Sequence, residues 1–435
     1  MPNLKLTPFI PTKTFLEIPS CLSYTIRALF VAAQISGEVT INNPLQCDDV
    51  DATVNILNEL GIITQNLGDK IVVKGNINDV DPNKDYNCFV NLSGRTARFA
   101  LPFLCIIVGT KVLTGAAPFL KRPMGEQVNG LTQLGATIEY LGADGCLPVR
   151  ITSSKLTAGV SRMKGELSAQ FFAGIMAIAP AVGEIVLEVI GDQASKPFID
   201  MTVDVMSHFG VKVANDNYQK YTISGGQNYT GSEYTVETDA MSATYFWGTA
   251  VLCGTSLTVP ALPQNSAQGD VRLPHILAQM GCEISYNNDN SITVSAPKSG
   301  ALKGITVDMS AHPDTAVTIM VLGAMAQGTT KITNIAHLRA KESDRLTSPA
   351  TELRKLGINV VVGDDFIEIE GVAGDISKLK PASIDTYHDH RIAMSFAMLG
   401  AICSGITIND AQVVTKSFPN FWDKWTEFGG LVSEI

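Results

Sequence analysis

Residues 353–371 read LRKLGINVVVGDDFIEIEG. The segment opens as a short helix that stops at Gly357, and glycine is typical of a helix C-terminus because it readily adopts the left-handed conformation needed there. A β-rich run follows, and the turn residues Gly363, Asp364 and Asp365 separate it from a second β-rich run. The segment therefore predicts one helix followed by two strands joined by a turn.

The same element of helix, glycine and strand occurs six times in the chain. The helix-ending glycines are spaced 71 to 76 residues apart, at Gly61, Gly135, Gly210, Gly281, Gly357 and Gly429. A second element, an apolar helix followed by a glycine and a β-branched strand, precedes each of them by 24 to 29 residues, with its glycines at Gly37, Gly109, Gly183, Gly254, Gly328 and Gly405. Six pairs in constant phase predict six copies of one α/β unit, each with two helices and about four strands.

The length of the chain indicates how these copies are grouped. A chain of 435 residues is too long for one ordinary core, and three copies approach the size of one domain. We therefore expect two lobes of three copies each. Three-fold packing within a lobe would place helices inside and sheets outside.

Composition and charge exclude several classes of protein. The net charge is −10 and the isoelectric point is near 5.1, which argues against a nucleic-acid-binding surface. The eight cysteines form no CxxC pair, which is typical of reduced thiols. The first residues are too polar for a signal peptide and the apolar runs are too short to cross a bilayer, so a soluble cytoplasmic protein is expected.

Basic residues gather at the predicted helix starts. Ser, Thr and Asp are expected there as caps, but the helix dipole disfavours cations at this end. The basic residues at these starts are Arg27, Arg95, Arg98, Lys121, Arg122, Lys196, Lys341, Arg345, Arg391 and Lys416. On an acidic protein, such a set predicts an anionic ligand held by several helix N-termini, with Asp314, Glu342 and His390 among them as candidates for proton transfer.

Two alternatives remain at this point. Each cation alone is equally compatible with a solvated surface charge, and the group Lys341, Glu342, Asp344 and Arg345 with a salt-bridge patch. The run YHDH at 387–390 contains a histidine pair, but nothing else in the sequence supplies ligands at metal spacing, so no metal is expected.

Five longer motifs carry a resemblance. KRPMGEQVNGL begins at Lys121, GDQASKPFID at Gly191, NSAQGD at Asn265, RAKESDRLTSPATELRKLG at Arg339 and TYHDHRIAM at Thr386. Over nearly its whole length the chain resembles the enolpyruvyl transferase family, in its EPSP synthase branch. The resemblance implies an α/β (α+β) fold, a two-lobed inside-out α/β barrel of six βαβαββ repeats with three per lobe. One lobe would comprise residues 1–20 and 238–435, and the other residues 21–237.

The resemblance also implies an activity. Members of this branch transfer the enolpyruvyl group of phosphoenolpyruvate to the 5-hydroxyl of shikimate 3-phosphate, in the pathway to chorismate and the aromatic amino acids. A tetrahedral intermediate forms and loses phosphate, and no metal or organic cofactor is required. The family suggests a monomer.

Roles for individual residues follow from the resemblance, motif by motif. Phosphoenolpyruvate would be bound by Gly94, Arg122, Gln170, Arg345, Arg391 and Lys416. The acceptor would be bound by Ser23, Arg27, Ser168, Gln170, Ser195, Asp314 and Lys341. Glu342, Lys341 and His390 would serve in proton transfer, and Asp314 would be the base that acts on the acceptor hydroxyl.

The sequence departs from the family pattern mainly on the acceptor side. The family's lysine is Leu22, a threonine is Arg95, a serine is Ala169, a tyrosine is Phe198 and an asparagine is His337. Leu22 stands in IPSCLSYTIRALFVAAQ (18–34), which reads as a capped helix start and anion site that has lost its main cation. Three hypotheses follow: an EPSP synthase in which Arg95 supplies that cation, a related transferase with another acceptor, and a relative that binds without turnover.

Overall fold

The computed structural model describes residues 2–152 and 156–435. Within them lie 12 α-helices and 23 strands in six small sheets, the mixed α/β fold expected from the sequence. The chain divides into two compact units, which we call the first unit (Met1–Pro19 with Thr238–Ile435) and the second unit (Ser20–Glu237). Of the described helices, none combines the length and the apolar character that a membrane span needs.

The helices alternate with the strands along the chain. The helices are α1 Leu22–Ala32, α2 Asp48–Glu59, α3 Gly94–Cys105, α4 Gly125–Gln133, α5 Ala169–Val182, α6 Pro197–His208, α7 Ala240–Leu252, α8 Leu273–Gln279, α9 Ala316–Met325, α10 Thr347–Lys355, α11 His390–Gly400 and α12 Phe421–Phe428. The strands are β1 Leu4–Thr7, β2 Glu38–Asn42, β3 Ile63–Asn66, β4 Lys70–Lys74, β5 Tyr86–Phe89, β6 Thr110–Thr114, β7 Thr137–Tyr140, β8 Val149–Thr152, β9 Gly159–Lys164, β10 Ile185–Ile190, β11 Ala214–Asp216, β12 Lys220–Ile223, β13 Glu233–Thr235, β14 Ser256–Val259, β15 Glu283–Tyr286, β16 Ile292–Ser295, β17 Thr306–Asp308, β18 Thr329–Thr333, β19 Asn359–Val362, β20 Ile367–Glu370, β21 Ala382–Ile384, β22 Ile406–Ile408 and β23 Leu431–Glu434.

One strand order recurs in the sheets. In the sheet β5-β6-β8-β7, helix α3 connects the parallel strands β5 and β6, and α4 then leads to the antiparallel hairpin β7–β8. Lys111 of β6 pairs with Tyr86 on one side and with Ile151 on the other. The sheets β11-β12-β10-β9 and β17-β18-β20-β19 have the same connectivity. The repeat seen in the glycines is thus a βαβαββ unit.

The other three sheets receive a strand or a single bridge from a distant part of the chain. Strand β13 pairs in parallel with β2, and the N-terminal strand β1 lies between β22 and β23. The sheet β14-β16-β15 has three strands, and a single parallel bridge from Phe15 to Thr258 stands in the place of the fourth. The expectation of about four strands per copy therefore holds, with this one reduction.

Apolar helices form the centre of each unit. Helices α1, α3 and α5 contact one another in the second unit, and α7, α9 and α11 do so in the first. Every residue of α1, α9 and α11 is buried, whereas strands such as β2 and β8 alternate buried and more exposed residues. Helices inside and sheets outside are the layers that three-fold packing predicts.

The repeat glycines all have a positive φ. All twelve have φ between +71° and +126°, from Gly254 to Gly183. A residue with a Cβ is strained in this region, so glycine is the residue that ends each helix at low cost. This requirement explains why a pattern of glycines was sufficient to reveal the six copies.

Candidate active site

In the first unit, a buried arginine joins three core helices. Asp314 lies just before α9, Tyr245 lies in α7, and Arg391 is the second residue of α11. Arg391 Nη2 donates to Asp314 Oδ2 at 2.9 Å, and its Nη1 donates to Tyr245 Oη at 3.3 Å. A single buried guanidinium therefore links the starts of α9 and α11 to the interior of α7.

Arg345 lies among three carboxylates and is almost completely buried. Its Nε and Nη2 donate to the two oxygens of Asp389 at 2.7 and 3.0 Å, a bidentate pair. Nη1 donates to Asp314 Oδ1 at 3.0 Å, and Nη2 also donates to Glu342 Oε2 at 2.8 Å. Bidentate pairing fixes the orientation of the guanidinium as well as its position.

Glu342 connects this group to a fourth segment of the chain. Its Oε1 accepts a hydrogen bond from Lys416 Nζ at 2.7 Å, and Lys416 ends a short 3-10 helix at Ala411–Lys416. We call Asp314, Glu342, Arg345, Asp389, Arg391 and Lys416 the ion-pair cluster. Its three cations and three carboxylates have no net formal charge, so the attraction of the carboxylates offsets the mutual repulsion of the cations.

The pKa shifts agree with this arrangement. Burial alone would lower the pKa of Arg345, but Asp389, Glu342 and Asp314 raise it above its ordinary value. Burial would likewise lower the pKa of Arg391, but Asp314, Tyr245 and Asp270 together raise it well above its ordinary value. Burial would raise the pKa of Asp389, yet the charge and hydrogen bonds of Arg345 hold it below its ordinary value. The two arginines are permanent cations at this site.

Two histidines lie close to the cluster and are neutral. Burial, and next Arg391, lower the pKa of His390 far below its ordinary value, and neither ring nitrogen has a hydrogen-bond partner among the described residues. Burial and Lys341 lower the pKa of His337 to about 4. A neutral imidazole can accept a hydrogen bond at one ring nitrogen and donate one from the other without adding charge to the site.

In the second unit, Arg27 is the most buried of the basic residues near the helix starts. Its side chain is 1% exposed, and it donates from Nε to Thr202 Oγ1 at 2.8 Å and from Nη1 to the carbonyl of Ser23 at 2.8 Å. Nη2 donates to the carbonyl of Phe198 at 3.0 Å. No carboxylate of the described residues forms an ion pair with it, and burial followed by repulsion from Arg95 lowers its pKa to about 10. An anion would therefore relieve an uncompensated buried charge.

Gly94 opens α3 between two guanidinium groups. A Cβ at this position would lie 2.9 Å from Arg122 Nη1 and 3.1 Å from Arg98 Nη1. Arg98 Nη1 in turn lies 3.4 Å from Gln170 Oε1, at the start of α5. Glycine thus permits Arg98 and Arg122 to approach the N-terminus of α3, where unpaired N–H groups favour anions.

The remaining predicted residues of the second unit lie at helix starts. Ser168 caps α5, and its Oγ accepts from the Gln170 N–H at 3.3 Å. Ser195 precedes α6 and has a φ of +54°. Leu22 is the first residue of α1 and is buried, and the cap residue of this helix is Cys21, whose side chain makes no capping bond. The helix begins where the sequence predicts, but the side-chain cap expected there is absent.

The structure separates the predicted residues into two sets. Asp314, Lys341, Glu342, Arg345, His390, Arg391 and Lys416 belong to the first unit, and Ser23, Arg27, Gly94, Arg122, Ser168, Gln170 and Ser195 belong to the second. Lys121 and Lys196 are exposed, and Lys196 lies over the ring of Tyr218. These two lysines fit the alternative of solvated surface charges.

Two residues that contact the first set were not predicted from the sequence. Asp389 is the principal carboxylate partner of Arg345, although the YHDH run suggests only a histidine pair from its sequence. Its position directly before a predicted helix start was the signal for it. Tyr245 lies inside an apolar helix, and no local pattern distinguishes it. Across residues 2–152 and 156–435, no cluster of His, Cys, Asp and Glu is arranged to hold a metal ion.

Comparisons with known proteins agree over the whole chain. The family profile described as EPSP synthase (3-phosphoshikimate 1-carboxyvinyltransferase) matches residues 10–425. Relatives named 3-phosphoshikimate 1-carboxyvinyltransferase include one from Vibrio atlanticus, 38% identical over 428 residues with 98% of this chain and 99% of the relative covered. Another from Shewanella amazonensis is 38% identical over 431 residues, with 98% of each chain covered.

A solved structure shows the same similarity in three dimensions. The EPSP synthase from Acinetobacter baumannii matches with a TM-score of 0.85 at 27% identity, and the match covers 100% of both chains. The match of a family profile to nearly all residues, together with relatives above 30% identity over nearly their full length, settles the assignment. The chain belongs to the EPSP synthase family.

Proposed function

We propose that the protein transfers the enolpyruvyl group of phosphoenolpyruvate to the 5-hydroxyl of shikimate 3-phosphate and releases phosphate. The observation that carries this is the near-complete match to relatives named for that reaction, at 36 to 38% identity. The protein is thus a transferase of the shikimate pathway, which leads to chorismate and the aromatic amino acids. A different acceptor or loss of catalysis, the alternatives raised by Leu22, is not favoured by these matches.

The ion-pair cluster suits one of the substrates. Phosphoenolpyruvate carries a carboxylate and a phosphate, and Arg345, Arg391 and Lys416 would hold these groups. Arg391 retains unused N–H groups, since the described hydrogen bonds use one donor on each of its terminal nitrogens. Carboxylates that already fix the cations reduce the ordering needed when the substrate binds.

Proton transfer is required at two atoms. The 5-hydroxyl loses a proton as its oxygen bonds to C2 of phosphoenolpyruvate, and C3 gains one to give the tetrahedral intermediate. When phosphate leaves, C3 returns that proton. Asp314 would act on the hydroxyl, and Glu342, Lys341 and His390 would serve the exchange at C3. Glu342 is suited to this because Lys416 and Arg345 fix both of its oxygens, at 2.7 and 2.8 Å.

Groups of the second unit would complete the binding of both substrates. Arg122 and Gly94 would contribute to the binding of phosphoenolpyruvate, and Gln170 to the binding of both substrates. Ser23, Arg27, Ser168 and Ser195 would bind the acceptor, together with Asp314 and Lys341 of the first unit. Arg95, the second residue of α3, would supply the cation that Leu22 does not, because its charge already acts on Arg27. A monomeric state and a cytoplasmic location remain predictions.

The test is phosphate release by the purified protein with phosphoenolpyruvate and shikimate 3-phosphate. Wild-type release that requires both substrates is the expected result. Arg391→Gln should reduce kcat/KM at least about 100-fold, since a buried charge-assisted contact is worth roughly 3 kcal/mol. Lys378→Gln, which removes an exposed lysine of the same unit, is the matched control.

The variants at positions 22 and 95 decide between the hypotheses. Arg95→Ala with full activity would rule out compensation by Arg95. If the wild type releases no phosphate and Leu22→Lys does, the wild-type scaffold is intact and lacks one cation. If neither protein releases phosphate with shikimate 3-phosphate but phosphate is released with another acceptor, the proposed acceptor is contradicted.

A further inference from the structure

The loop before α11 has an unusual backbone. Residues 385–389 connect β21 to α11, and both Tyr387 (φ +53°) and His388 (φ +56°) are left-handed although neither is glycine. Such conformations cost energy for a residue with a Cβ and persist only where neighbouring groups hold them. The loop leads directly into Asp389, His390 and Arg391. Whatever holds the loop therefore also sets the position of these three residues.

The end of the loop is held by the ion-pair cluster. Asp389 accepts two hydrogen bonds from Arg345 and one from Ser343 Oγ at 3.0 Å. Its N–H donates to the carbonyl of Thr386 at 2.8 Å, and its Oδ1 caps α11 by accepting from the Arg391 N–H at 3.0 Å. Arg345 and Ser343 both lie just before α10. This end of the loop is thus tied to the start of α10.

The beginning of the loop is held by a carboxylate that the reaction does not use. Glu352 lies in α10, is fully buried, and accepts from Tyr387 Oη at 2.6 Å and from the Asp385 N–H at 3.1 Å. Lys355 Nζ forms an ion pair with Glu352 Oε2 at 2.8 Å and with Asp385 Oδ2 at 2.7 Å. Burial, and next Glu352, raise the pKa of Tyr387, so its hydroxyl remains a donor.

We propose that Glu352 is a positioning residue for the reaction. Through Tyr387 and Asp385 it holds the strained loop against α10, and the loop in turn orients Asp389, His390 and Arg391. Since Arg345 also precedes α10, one helix fixes the loop at both ends. A buried carboxylate is destabilising unless hydrogen-bond donors compensate its charge. Two of the three donors to Glu352 come from this loop. The catalytic consequence rests on the proposed function, but the anchoring of the loop does not.

The experiment uses Tyr387→Phe, which removes only the hydroxyl that Glu352 accepts from. Tyr387 is 38% exposed, so the ring is expected to remain in place and the protein to fold. Tyr286→Phe is the matched control, because it removes an Oη contact to His275 at 3.0 Å in the same unit without touching the loop. For each protein we would measure kcat, both KM values, the unfolding midpoint, and amide hydrogen exchange in peptides that cover residues 385–395.

In Tyr387→Phe, amide hydrogens of this segment should exchange at least about five-fold faster and kcat should fall about ten-fold. The KM values should stay within two-fold, and the unfolding midpoint should fall only slightly. Glu352→Gln should reproduce the loss in kcat, and the double variant should be no slower than the slower single variant, since both act through one contact. Unchanged exchange in Tyr387→Phe, or unchanged kcat with an active wild type, would overturn the inference. If the wild type has no turnover, the proposed function fails, and exchange alone then decides whether Glu352 anchors the loop.

Discussion

Gly94→Ala tests whether the two guanidinium groups at the start of α3 contribute to binding phosphoenolpyruvate. The added Cβ would lie 2.9 Å from Arg122 Nη1 and 3.1 Å from Arg98 Nη1. Non-bonded heavy atoms attract best at about 3.5 Å, so the guanidinium groups must withdraw by roughly half an ångström. The atoms in contact are the ends of long side chains, which can move at low cost.

Stability should change little in this variant. Gly94 is the first residue of α3 and its φ is not positive, so alanine fits the backbone there. The helix propensity of alanine exceeds that of glycine by about 1 kcal/mol in a helix interior, which offsets the cost of moving the two side chains. We therefore expect the free energy of unfolding to remain within about 1 kcal/mol of the wild type.

Binding should change more than stability. A hydrogen bond to a charged group contributes about 1.5 to 3 kcal/mol, and a shift of half an ångström would forfeit about half of it. The KM for phosphoenolpyruvate should then rise about four- to twelve-fold, since about 1.4 kcal/mol corresponds to a factor of ten. The KM for shikimate 3-phosphate should change less than two-fold.

Steady-state phosphate release and urea unfolding measure the two effects separately. Gly159→Ala is the control, because a Cβ there meets nothing closer than 4.0 Å and its φ is not positive. An unchanged KM for phosphoenolpyruvate in Gly94→Ala would refute the role assigned to Arg122 and Gly94. A large loss of stability instead would show that the two arginines are fixed by the fold.

Three further predictions concern stability. Asp389→Asn leaves the buried Arg345 without its bidentate carboxylate and should destabilise the protein by about 3 to 5 kcal/mol, which calorimetry would show as a lower unfolding midpoint. Burial lowers the pKa of Lys111 to about 8, below its unfolded value of 10.5, so above pH 8 the unfolded chain binds more protons and wild-type stability should rise. Relative to Lys111→Met, the gain should reach about 2 kcal/mol by pH 9.5 in urea unfolding, and parallel pH profiles of the two proteins would contradict it. Leu22→Lys should lose about 2 kcal/mol of stability without ligand and regain it with shikimate 3-phosphate, whereas an equal loss under both conditions would contradict the anion site.

The fold could be predicted from the sequence because its signals are local. Each repeat glycine ends a helix or precedes a strand, and the need for a positive φ there depends only on neighbouring residues, as at Gly357 with φ +88°. The three-stranded sheet could not be predicted in the same way. Whether Phe15 pairs with β14 as a strand or as a single bridge depends on contacts between residues more than 240 positions apart.

The site could be predicted only in part, for a related reason. Cations at helix starts stand out in a sequence because the dipole disfavours them, and so Arg345 and Arg391 were found. Their partners were not, since Asp389 resembles an ordinary cap and Tyr245 an ordinary core residue. Glu352 was hidden in the same way, because an acidic residue in an amphipathic helix is expected on the solvent side. Burial is the property that distinguishes these residues, and a single sequence does not display it.

The two units hold their buried arginines by different means, and this difference offers a physical reason for a leucine at position 22. Arg345 and Arg391 are balanced by carboxylates, whereas Arg27 is held by a hydroxyl and two backbone carbonyls. The carbonyl of Ser23 is one of these, so the Arg27 guanidinium folds back to within one residue of Leu22. A lysine at position 22 would add a second cation at a helix N-terminus where the pKa of Arg27 is already lowered. Leucine avoids that repulsion and adds apolar burial, and on the proposed function it does so at the expense of one contact to the anion. On that proposal, position 22 exchanges affinity for stability, and Arg95 would restore affinity only to the extent that the bound anion reaches it.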